Sequence, residues 1–133
     1  MDFNFHMPVH VVSGEGAVAR NSTLLRTLGR RCLIITGGSS AKRSGALADV
    51  TAALDLWEIG WAVYDAVGPN PLVSACHEAG VVARSVRAEF IIGIGGGSPL
   101  DAAKAAAIFA ANEELAPMDI FQREGANPPP PLA

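Results

Sequence analysis

The stretch Phe90-Ile91-Ile92-Gly93-Ile94-Gly95-Gly96-Gly97-Ser98-Pro99-Leu100-Asp101-Ala102-Ala103-Lys104 decides the fold of this chain. It opens as an apolar run, turns on glycines and continues into an alanine-rich segment. That order reads as a buried strand, a tight turn and the start of a helix. Gly95, Gly96 and Gly97 let the backbone approach a ligand closely and take positive φ where a turn needs it. The helix that follows offers unpaired N–H groups and the positive end of its dipole, an arrangement suited to a phosphate. Ser98 is placed to cap that helix, Pro99 fits its first position, and Asp101 is spaced for the return bond of a capping box.

Two earlier runs repeat the strand pattern, Cys32-Leu33-Ile34-Ile35-Thr36 and Trp61-Ala62-Val63-Tyr64. The three runs start at residues 32, 61 and 90, evenly spaced at about the 30 residues of a βαβ unit. Apolar runs without alternation suit strands covered on both faces, as in a parallel sheet. Helical stripes lie between them: Leu47, Val50, Leu54 and Trp57, then Leu72, Cys76, Ala79, Ala83 and Val86. Asn70 and Pro71 read as the cap and first residue of the second helix. A weaker helix is expected over residues 17–28, and Val9-His10-Val11-Val12 is a further strand candidate. The fold class is therefore α/β, a parallel sheet with helices on both faces.

With 133 residues, half of them hydrophobic, the chain has material for one domain with a sizeable core. Residues 1–126 are assigned to that domain. Asn127-Pro128-Pro129-Pro130-Pro131-Leu132-Ala133 reads as an extended linker or tail, beyond which a second domain is expected. A net charge of −3 with scattered basic residues argues against a nucleic-acid surface. No apolar run approaches the roughly 20 residues of a membrane span. No secretory signal is visible, and two lone cysteines suit reduced thiols, so a cytoplasmic location is expected.

The glycine turn contains GxG without the third glycine of GxGxxG, and it is not a Walker loop. A plain strand–helix turn without a ligand is the alternative, although three successive glycines cost more chain entropy than a mere turn needs. The run GGGSPLDAAKA resembles the signature GGGSxxDxAK of the iron-dependent (group III) alcohol dehydrogenases. The likeness extends to Gly68-Pro69-Asn70-Pro71, to Thr36-Gly37-Gly38-Ser39-Ser40-Ala41-Lys42 and to Val12-Ser13-Gly14-Glu15-Gly16. It covers about residues 8–132. The resemblance implies a Rossmann-like domain that binds NAD(P), followed by a helical domain holding Fe²⁺ or another divalent ion. It implies that Gly96, Gly97 and Ser98 meet the pyrophosphate, that Gly95 is also among the cofactor-binding residues, that Asp101 shapes the turn, and that Asn70 lies near the ribose and phosphate. Read without it, Asn70 is as easily a helix cap, Asp101 a capping carboxylate, and Lys104 either a phosphate contact or a solvated side chain.

Many NAD-preferring members of that family carry an Asp just after the threonine matched by Thr36. Gly37 and Gly38 stand there instead, with Ser39, Ser40 and Lys42 following. Loss of the carboxylate removes repulsion against a 2′-phosphate, and the serines and lysine supply donors and positive charge. NADP is therefore expected in preference to NAD, although Lys42 and Arg43 also suit a solvated helix start.

The family's metal ligands, an Asp and three His residues, match nothing in this chain. His6 and His10 are separated by Pro8, His77 is expected at the surface or as a cap, and no nucleophile–base set can be assembled. The chain is thus expected to supply the cofactor side of alcohol oxidation and to show no turnover alone. It is also expected to self-associate through apolar surface left for a second domain. The alternatives are a stand-alone nucleotide-binding module, or a relative of dehydroquinate synthase or glycerol dehydrogenase.

Overall fold

A computed structural model describes residues 2–69 and 71–121. The elements follow in the order α1 (Ala17–Arg20), α2 (Thr23–Arg26), β1 (Arg31–Thr36), α3 (Ser40–Arg43), α4 (Ala46–Leu56), β2 (Gly60–Tyr64), α5 (Val73–Ser85), β3 (Phe90–Ile94) and α6 (Gly97–Ala111). A short 3-10 turn, Pro117–Phe121, comes last. The strands form one parallel sheet in the order β2-β1-β3, with Ile34 of β1 opposite Val63 and Ile92.

Alternation along β1 divides the core in two. Leu33 and Ile35 join Ile91 and the small residues of α5 and α6, with Phe109 filling that layer. Cys32 and Ile34 join Phe90, Ile92 and the α4 residues Val50 and Leu54 on the other face. Leu33, Ile34 and Ile35 are all fully buried, each worth roughly 1.5–3 kcal/mol relative to exposure. This explains the unbroken apolar run, since a strand covered on both faces has no solvent side to keep polar.

Small residues set the spacing of the α5–α6 layer. A Cβ on Gly80 would lie 2.6 Å from the Phe109 Cβ and 3.1 Å from the Ala106 carbonyl oxygen. Arg84 donates to the Phe109 carbonyl, and Asn112 closes α6 by donating to the Ile108 carbonyl at 2.8 Å. On the opposite side, the Trp57 indole N–H donates to the buried Ser22 hydroxyl at 3.0 Å, and the Arg26 guanidinium lies 4.5 Å over the Trp57 ring.

Several local expectations are corrected. Residues 9–12 form no strand: Val9 and Val11 are exposed, and no strand among the described residues pairs with them. Residues 17–28 form two single turns, broken at Asn21, whose side chain donates back to the Ala17 carbonyl. The second long helix begins at Val73 after an extended Leu72, so Pro71 precedes it, and Leu72 is exposed instead of joining the stripe. Helix α6 begins at Gly97 with Gly96 as its cap residue and no side-chain cap. The expected Ser98 cap and Asp101 capping box are therefore absent. The assignments of Asn70 and of residues 127–133 lie outside the described residues.

Candidate functional site

Strand β1 hands the chain to α3 and α4 on one face of the sheet, while β3 hands it to α6 on the other. The loops after these neighbouring strands diverge, which leaves a crevice at their carboxyl ends. In an open α/β sheet that switch point is where ligands bind. The crevice measures about 410 Å³ and is walled by Gly37, Gly38 and Ser40, by Val67, Gly68 and Pro69, and by Gly96 to Pro99.

The glycines do two different jobs here. Gly95 has φ +139°, and a Cβ on it would meet Pro99 Cγ at 2.7 Å. Gly37 likewise lies where a Cβ would be 3.0 Å from Pro99 Cγ. These glycines let the turns after β1 and β3 close around Pro99. At Gly96 and Gly97 an added Cβ would meet nothing within 4 Å. Protein packing does not demand glycine there; the bare backbone faces open crevice. With no side-chain cap and no acidic residue in its first turn, α6 presents its first N–H groups and its positive dipole end uncompensated.

Six of the residues singled out in the sequence meet in this crevice: Gly37, Gly38, Ser40, Gly96, Gly97 and Ser98. Ser98 donates its hydroxyl to the Pro69 carbonyl at 2.6 Å, and Ser40 donates to the Gly37 carbonyl at 3.3 Å. Gly95 instead lines an apolar groove of about 530 Å³ between α1, α2 and α4. Ser39 is exposed at the start of α3, outside the crevice lining. Asp101 accepts an exposed 3.2 Å ion pair from Lys104, so the lysine's partner is this carboxylate one turn away. Val67, Pro69 and Pro99 line the site without having been singled out for it; the only local signal was the Gly-Pro-Asn-Pro turn.

Tyr64, Cys32 and Cys76 are structural groups. Tyr64 donates to Glu78 at 2.8 Å. Burial, then that hydrogen bond and the charge of Glu78, push its phenol up to about 12. Burial pushes the Cys32 thiol up to about 12 and also raises Cys76, so neither is a thiolate near neutrality. His77 is half-buried with its ring edge-on to Phe109 at 5.0 Å, a packing role in place of the expected surface or capping one. Among the described residues no three His, Cys, Asp or Glu side chains stand close enough to hold a metal ion. Nor is any described helix long and apolar enough to cross a membrane.

The family model described as iron-containing alcohol dehydrogenase matches residues 8–133. The chain is 38% identical over 99 residues to a long-chain primary alcohol dehydrogenase of Thermoanaerobacter ethanolicus, covering 71% of this chain and 25% of that protein. It is 35% identical over 129 residues to an NADPH-dependent aldehyde reductase of Escherichia coli, covering 93% and 32% respectively. An iron-containing alcohol dehydrogenase crystal structure from Thermotoga maritima superposes with a TM-score of 0.92 at 34% identity, over 98% of this chain and 36% of the other. The chain thus spans about a quarter to a third of the length of the curated relatives it matches.

Proposed function

The chain belongs to the iron-containing alcohol dehydrogenase family, and on that footing we propose that its crevice binds the pyrophosphate of a nicotinamide dinucleotide. The observation that carries this reading is the uncapped start of α6, where Gly96 and Gly97 open onto the crevice at the sheet's switch point. Backbone N–H groups at such a helix start hold phosphate oxygens, and the dipole favours their charge. Gly37, Gly38 and Ser40, on the facing wall, receive the adenosine end. The chain's residues bind and orient the cofactor; when bound, the nicotinamide supplies or accepts the hydride.

NADP is the preferred cofactor in this reading. The Gly37-Gly38 turn carries no carboxylate to repel a 2′-phosphate, and Ser39, Ser40 and Lys42 offer donors and charge beside it. Relatives include an NADPH-dependent aldehyde reductase and an NADH-dependent butanol dehydrogenase, so the family accommodates both choices. The parent reaction is reversible oxidation of an alcohol to an aldehyde or ketone. The described residues do not fit the divalent ion that the family name implies, since no ligand cluster is present. No metal step is assigned to the described residues, and binding without turnover is the activity proposed for these 133 residues. Fluorescence titration with NADPH tests the reading. Saturable binding that Gly97→Asp abolishes is expected; no binding at millimolar nucleotide would contradict it.

A further inference from the structure

The rim of the crevice carries one inference that rests on the dinucleotide reading above. Lys42 lies just beyond the Gly37–Ser40 wall, and Asp65 lies between the end of β2 and the Val67 wall. An antiparallel bridge between Gly37 and Ala66 ties these two walls together. Across it, the Lys42 ammonium stands 3.9 Å from an Asp65 carboxylate oxygen. The two side chains are 62% and 58% exposed, so the pair is solvated and either partner can exchange for a ligand group. The Gly37–Ser40 turn has no carboxylate of its own, and Asp65 supplies one from the neighbouring strand.

We propose that Asp65 is a specificity-determining residue, which restrains the preference for a 2′-phosphorylated dinucleotide by occupying Lys42 and by accepting hydroxyl hydrogen bonds from an unphosphorylated ribose. A carboxylate at a strand end is a suitable acceptor for the ribose diol. The same carboxylate repels a phosphate dianion and competes with it for the lysine ammonium. The adenosine rim therefore holds one group for each cofactor: Lys42 for the phosphate and Asp65 for the diol. Exchange between them costs only a weak, solvent-screened ion pair.

Paired titrations of NADPH and NADH against the 133-residue chain, its Asp65→Asn variant and its Lys42→Met variant test this at fixed low ionic strength. Asp65→Asn should tighten NADPH by about two- to fivefold, the scale of an exposed ion pair, and weaken NADH. Lys42→Met should weaken NADPH and leave NADH within experimental error. If Asp65→Asn moves both nucleotides by the same factor, or moves neither, while the unmutated chain binds NADPH, Asp65 does not select and the inference fails alone. If the unmutated chain binds neither nucleotide, the crevice reading fails and takes the inference with it.

Discussion

The hydroxyl of Ser98 donates to the carbonyl of Pro69 across 29 residues of sequence, fastening the start of α6 to the opposite wall of the crevice. A serine that looks locally like a helix cap thus works as a clasp between two loops. Ser98→Ala should cost roughly 0.5–1.5 kcal/mol, the net worth of one hydrogen bond. It should also weaken NADPH binding by loosening the Val67–Pro69 wall. Urea unfolding and nucleotide titration read the two effects separately.

Glycines of similar appearance should respond oppositely to alanine. Gly80→Ala drives a Cβ against Phe109, and overpacking of that kind costs about 1–3 kcal/mol. Gly97→Ala meets no protein atom, so stability should hold or rise slightly while NADPH affinity falls at least about tenfold, ~1.4 kcal/mol. Thermal melts and titrations of both variants check the contrast. Equal loss of stability in the two would contradict it.

Alkaline pH should destabilise the fold. The Cys32 thiol titrates at about 9 when unfolded and is pushed up to about 12 by burial. Between those values the folded state holds more protons than the unfolded, so stability falls as pH rises. Tyr64, raised to about 12 from 10, adds to the loss above pH 10. Its full contribution is present below the unfolded values. Urea midpoints should be level below about pH 8 and decline above 9, and Cys32→Ala should flatten the first part of that decline.

Self-association should arise from the amino-terminal arm. Phe3, Phe5, Met7, Val9 and Val11 occupy alternate positions and are 60–83% exposed. Sedimentation velocity should show concentration-dependent association that a Phe3→Ser, Phe5→Ser variant reduces. A monodisperse monomer at high concentration would contradict this.

Strands β1 and β3 were legible because burial on both faces writes itself into sequence, whereas β2 is an apolar run that is only partly buried. Phe90–Ile94 matches the observed β3, while β1 and β2 each begin one residue before the apolar run. The interior of the helical stripes was legible for the same reason: Val50, Leu54, Cys76, Ala79 and Ala83 are buried. Helix starts were not, because their polar side chains find partners other than the backbone of the first turn. The Ser98 hydroxyl goes to Pro69, and the Asp101 carboxylate pairs with Lys104 instead of returning to the backbone. Val9-His10-Val11-Val12 has strand-like residues, but among the described residues no strand pairs with them, and propensity alone forms no strand. The glycine turn was legible as one wall of the crevice; the Pro69 and Pro99 walls depended on how two loops meet.

Amide chemical-shift mapping of the ¹⁵N-labelled chain during NADPH titration tests the central claim most directly. The largest saturable shifts should fall on Gly37, Gly38, Ser40, Gly96, Gly97 and Ser98, the backbone that walls the crevice. Shifts centred instead on Leu24, Leu28 and Val50 in the apolar groove, or no saturable shifts at all, would contradict it.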